Sequence, residues 1–187
     1  MNRGTKAKVD EGQITVAVLG LGNPVLTDDA VGLHVAAAVE RLLREDPIAG
    51  VTVLTSTRAG FELIELLAGF THAIIIDCLA IPNPVPGRIR FMDLTSLSGS
   101  ARLVGVHDIG VADAFELAST LGARMPGTVE IYALEGEDTQ TLSEEMTPAL
   151  AASVPRLART LHARAGELVK SPHPPLPNPH PQGERGF

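Results

Sequence analysis

Cysteine is almost absent: Cys78 is the only one in 187 residues. A single thiol excludes an internal disulfide framework and any multi-cysteine zinc site. Tryptophan is missing altogether, and aromatic residues make up 3% of a chain that is 44% hydrophobic. The core must therefore be assembled from Val, Leu, Ile and Ala, which favours alternating strands and helices over an aromatic-rich sandwich. Basic residues are outnumbered, 15 Lys and Arg against 22 Asp and Glu, for a net charge of −7. That balance argues against nucleic acid or an anionic membrane as a partner, both of which call for basic patches. No apolar run approaches the roughly 20 residues of a membrane-spanning helix, and no apolar stretch before Ile14 could form the centre of a signal peptide. The expectation is a soluble, acidic, cytoplasmic protein, with the length of one domain that buries a substantial core.

What is present is an alternation of two hydrophobic periods. Ile14–Gly20 reads as a buried strand from its largely apolar, β-branched character. From Ala30 onward Val31, Val35, Val39, Leu42 and Leu43 recur at helical spacing. Val51–Leu54 reads as a second strand and Phe61–Ala68 as a short helix. Ala73-Ile-Ile-Ile-Asp77 is apolar at every position until its last, as expected of a strand in a parallel sheet covered on both faces. After the Pro82–Pro86 loop, Gly87–Met92 is a more polar strand suited to an edge. Ile109–Leu121 reads as a helix with Asp108 as its N-cap, and Val129–Leu134 as a further strand. The last helix begins at Ser143 or Thr147 and runs to Leu168, with Thr147-Pro148 as an N-cap and N1 pair. Pro155 within it predicts a kink or a break. Residues 1–13 are polar and predict a flexible extension, 14–170 one α/β domain, and 171–187 a disordered tail, since six of these 17 residues are proline. The fold class that follows is a three-layer αβα sandwich with a mostly parallel central sheet.

Active crevices in such sheets lie beyond the carboxyl ends of the strands. That rule selects Asn23, Asp28 and Asp29 after the first strand, Asp77 at the end of the third, His107 and Asp108 before a helix, and Glu135, Glu137 and Asp138 after the last strand. The most informative segment is Gly20-Leu-Gly-Asn-Pro-Val-Leu-Thr-Asp-Asp-Ala-Val-Gly32. A glycine-rich strand-to-helix turn normally receives a phosphate on its free N–H groups. Two adjacent carboxylates would repel one, yet could hold a cation or serve acid–base chemistry. Helix capping alone explains one of the pair, Asp28; the second, Asp29, exceeds what capping needs. Asp77 ends an apolar strand, and a buried charge there calls for a partner or a metal. Together Asp29, Asp77 and His107 offer two carboxylates and one imidazole, a set suited to zinc, nickel, iron or manganese. Cys78, adjacent to Asp77 on a strand, points to the opposite face and reads as a small buried hydrophobe.

These features, with the late segment Glu135-Gly-Glu-Asp…Leu142-Ser-Glu-Glu-Met-Thr-Pro148, resemble the hydrogenase maturation proteases over roughly residues 16–162. The resemblance implies a three-layer αβα fold of the phosphorylase/hydrolase type. It also implies a cytoplasmic endopeptidase that removes the C-terminal peptide of a [NiFe]-hydrogenase large-subunit precursor after nickel insertion. Carried over by position, Asp29, Asp77 and His107 become the metal-recognising and catalytic residues. They would sense nickel held by the precursor, with no tightly held metal of the protease's own. The chain departs from the family's usual pattern at Ala30, at Thr57-Arg58-Ala59-Gly60 and at Cys78. Two rivals share parts of the pattern. Gly20-Leu-Gly-Asn-Pro24 also occurs in peptidyl-tRNA hydrolases, which continue with a Thr-Arg-His-Asn segment where this chain has Leu-Thr-Asp-Asp. A nucleotide-binding module would need a glycine where Val25 stands.

Overall fold

The computed structural model describes residues 13–57, 61–93 and 111–171. In chain order these form β1 (Val16–Leu21), α1 (Val31–Glu45), β2 (Val51–Ser56), α2 (Phe61–Leu67), β3 (His72–Leu79), β4 (Ile89–Asp93), α3 (Val111–Thr120), β5 (Thr128–Glu135) and α4 (Pro148–Lys170). The five strands make one sheet in the order β2-β1-β3-β5-β4. All pairings are parallel except β4 on β5, which places an antiparallel strand at one edge, where the polar Gly87–Met92 pattern pointed.

Strand alternation divides the core in two. Val16, Val18, Ile74, Ile76, Cys78 and Leu134 face α1 and α4. Ala17, Leu19, Ala73, Ile75, Val129 and Ile131 face α2 and α3. The result is the expected three-layer αβα sandwich, and β3, at its centre, is buried along all eight residues. Helices on both faces are what permit a strand of uninterrupted apolar character.

Close packing of α1 on the sheet accounts for two of the motif glycines. A Cβ on Gly20 would lie 2.2 Å from the Gly32 carbonyl oxygen, and one on Gly32 would lie 2.1 Å from that of Leu21 and 2.5 Å from that of Ile76. Backbone is in contact with backbone here, and only hydrogen atoms fit.

Two expectations are revised. Asp77 is not the end of its strand, since β3 continues through Cys78 to Leu79. Of the kink or break expected at Pro155, the break does not occur, and α4 runs through it as one element from Pro148 to Lys170. The carbonyl deprived of its donor belongs to Ala151, and Ala151 and Pro155 are both exposed, so water can satisfy it. The readings made for His107, for Asp108, for the start of the N-terminal extension and for the proline-rich tail lie outside the described residues.

Candidate functional site

The loop from β1 to α1 is folded tightly beneath the carboxyl edge of the sheet. Gly22 has φ +149°, and a Cβ there would meet the Asp29 carbonyl oxygen at 2.0 Å, so a side chain is excluded on both counts. The Asn23 N–H donates to Oδ2 of Asp29 at 2.9 Å, closing the loop around that carboxylate. The N–H of Val25 donates to Oδ1 of Asn23 at 3.2 Å, an Asx turn that shapes the tip. Ala30 is the N-cap of α1 with φ −72°, a conformation any residue adopts.

Asp28 does not cap α1, which has no side-chain cap. Its fully buried carboxylate reaches across to the segment between β5 and α4. There the N–H groups of Glu137 and Asp138 donate to Oδ2, each at 2.9 Å, while the N–H of Thr147 donates to Oδ1 at 2.8 Å. The Thr147 hydroxyl donates to Oδ2 at 3.0 Å, so this N-cap side chain serves Asp28 rather than its own helix. Further lacing comes from Thr27 N–H to Thr141 O, Ser143 N–H to Val25 O and Asp28 N–H to Asp138 O. Four donors on one carboxylate bind two loops that are 109–119 residues apart in sequence into a single rim.

Asp29 and Asp77 are both buried, at 6% and 7% exposure. Burial drives the Asp77 carboxyl up to about 7. The N–H of Cys78, donating to its Oδ1 at 2.8 Å, partly offsets this, and the negative charge of Asp29 pushes it further up. Burial and the charge of Asp29 thus favour the protonated form of Asp77, and a cation beside the two carboxylates would take that proton's place. The structure thus brings Asp29 and Asp77 together, while His107 lies outside the described residues. Among the described residues no three His, Cys, Asp or Glu side chains gather into a metal-holding group.

Cys78 takes the opposite face, in the core with Leu134 and Ile76. Burial, then the charges of Asp77, Asp29 and Asp28, hold its thiol far above the ordinary range. A thiolate is therefore disfavoured, as packing rather than catalysis requires. Glu137 is exposed, and Asp138 accepts from the N–H groups of Gln140 and Thr141, holding a turn.

Glu135 has a different role from a loop acid. It is the last residue of β5, fully buried, and takes Nε of Arg88 and Nε of Arg90 on Oε1, each at 2.7 Å. Its Oε2 accepts from Arg88 Nη2 at 3.2 Å and from the Val85 N–H at 2.6 Å. These bonds, that of Arg88 foremost, hold its carboxyl down at about 2. The two arginines were passed over in the sequence. The signal available was their spacing, Arg88-Ile89-Arg90, which puts both on one face of a strand.

Comparison with known proteins points in one direction. A family model described as hydrogenase maturation protease matches residues 33–163. The chain is 32% identical over 100 residues to the hydrogenase 2 maturation protease of Escherichia coli K12, covering 52% of this chain and 59% of that protein. The fold resembles that of the hydrogenase maturating endopeptidase HybD from E. coli, with a TM-score of 0.68 and 24% identity over 82% of this chain and 93% of the other. It also resembles the [NiFe] hydrogenase maturation protease HycI from Thermococcus kodakarensis KOD1, with a TM-score of 0.64 and 20% identity over 86% and 95% of the two chains.

Proposed function

This chain belongs to the hydrogenase maturation protease family, and we propose that it is a cytoplasmic endopeptidase acting on a [NiFe]-hydrogenase large-subunit precursor. It removes the precursor's C-terminal peptide once nickel has been inserted. The observation that carries this reading is the buried Asp29–Asp77 pair at the carboxyl edge of the sheet, with Asp77 raised to about 7. Burial holds the Asp77 carboxyl up to about 7, where it can gain or lose a proton near physiological pH. Membership of this family displaces the peptidyl-tRNA hydrolase and nucleotide-module readings. The buried acid pair opposes a phosphate at the same turn.

In this reading Asp29, Asp77 and His107 recognise nickel that the precursor's own ligands already hold. The ion arrives with the substrate, and its positive charge relieves the repulsion between the two carboxylates. Asp77 is the proton carrier for hydrolysis. It takes a proton from the water that adds to the scissile carbonyl carbon, and returns one to the amine that leaves as the C–N bond breaks. Cutting is thereby tied to completed metal insertion. Incubation with nickel-loaded and nickel-free precursor, read by intact mass, tests this. Only the loaded form should lose its C-terminal peptide, and Asp29→Asn, Asp77→Asn and His107→Ala should each abolish the loss while Cys78→Ala retains it. Equal processing of both forms would refute nickel recognition, and an inactive, well-folded Cys78→Ala protein would restore a thiol mechanism.

A further inference from the structure

Beside the acid pair, on the same face of the sheet, lies a built cationic site that the peptidase reading does not use. In register, Asp77 of β3 pairs with Ala133 of β5, and Ala133 with Arg90 of β4. One step toward the carboxyl edge, Leu79 pairs with Glu135, whose N–H donates to the Arg88 carbonyl oxygen. Paired residues of neighbouring strands share a face. Asp77 and Arg90 therefore project on the same side, two strand spacings or about 10 Å apart, with Ala133 on the strand between them.

The two arginines converge on one carboxylate, leaving one positive charge in excess. Glu135 is sealed from solvent, and its oxygens are filled by Arg88, Arg90 and the Val85 N–H. Arg88 is held through Nε and Nη2 and Arg90 through Nε, yet the two side chains remain 49% and 46% exposed, and among the described residues neither pairs with a second acid. A side chain fixed in this way has already lost the flexibility that makes surface ion pairs weak.

We propose that Arg88 and Arg90 form a carboxylate-recognition subsite that positions the precursor's C-terminal segment beside Asp29 and Asp77. The inference rests on the peptidase reading. The ligand is a carboxylate, and two parts of the substrate can supply it: an acidic side chain near the scissile bond, or the free C-terminus of the peptide to be removed. The excess positive charge next to two acids gives the crevice a polarity, with the metal end and the carboxylate end fixed, and so sets the direction in which the chain lies.

Three forms of the cognate nickel-loaded precursor test this with the wild-type protease: the native form, one with an amidated C-terminus, and one with the acidic side chains flanking the scissile bond changed to amides. One altered form should show KM raised about tenfold or more, with kcat little changed; the form that responds identifies the source. Arg88→Gln and Arg90→Gln should raise KM for the native precursor by a similar factor and should abolish its advantage over the responsive form. Equal KM for all three precursors would overturn the proposal. So would folded arginine variants that lose thermal stability but keep the native KM, since the pair would then only staple the edge strand. If an arginine variant fails to fold, the three-precursor comparison on wild type still decides. Cleavage of none of the three forms by the wild type would overturn the peptidase reading and this inference with it.

Discussion

At the scale of the residue, the two neighbouring acids have opposite fates. Asp28 is surrounded by donors alone: three backbone N–H groups and the Thr147 hydroxyl. An amide cannot replace it, because its NH2 would face N–H groups and leave them unpaired in a buried place. Asp28→Asn should therefore cost about 2–4 kcal/mol of stability, read from urea unfolding; a loss below 1 kcal/mol would mean that the clamp is dispensable. Asp29 has one such bond, from Asn23, and its charge acts on Asp77. The sequence could not separate these roles, since Asp28 and Asp29 are chemically identical and adjacent. Capping was the local explanation for Asp28, and the true partners lie more than a hundred residues away.

At the scale of the element, the strand-to-helix motif is a packing device before it is a site. Gly32 sits where the start of α1 touches the carbonyl oxygens of Leu21 and Ile76, and both are backbone atoms that cannot turn aside. Gly32→Ala must lift α1 from β1 and β3, and should destabilise by roughly 3 kcal/mol. The internal control is Gly166 in α4, where a Cβ would meet only the Ile48 Cδ1 at 3.4 Å. Gly166→Ala should be neutral or stabilise by up to about 1 kcal/mol. Thermal unfolding of both variants checks the contrast, and similar losses at the two positions would remove the close-packing argument. Periodicity located every described helix and strand, because each buries one face or two. It left a kink or a break open at Pro155; the helix is not broken there, because the carbonyl four residues earlier, at exposed Ala151, can be hydrated, and that exposure is a tertiary property.

At the scale of the whole molecule, two buried carboxyls tilt stability in opposite directions with pH. Glu135 is depressed to about 2 from an ordinary 4.5, so its contribution is complete above about pH 4.5 and is lost as the pH falls toward 2. Asp77 is raised from 3.8 to about 7, so between those values the folded state binds the extra proton and stability falls as the pH rises. Above pH 7 the accumulated cost is on the order of 4 kcal/mol. Asp77→Asn should unfold at higher urea concentration than wild type at pH 8 and lose that slope, even as it loses activity, whereas Glu135→Gln should flatten the acid limb. An Asp77→Asn protein less stable than wild type at pH 8 would contradict the burial argument. The chain by itself determined the layers, the largely parallel sheet, the edge position of β4 and the rim to which Asp29 and Asp77 belong. Those follow from hydrophobic period and strand-helix alternation, which are local properties of the order of residues. Only the tertiary structure decided that Asp28 clamps two loops, that β3 runs past Asp77, and that Arg88 and Arg90 close on Glu135. Each depends on which donors and charges meet across the fold, and desolvation on burial sets how strongly they act.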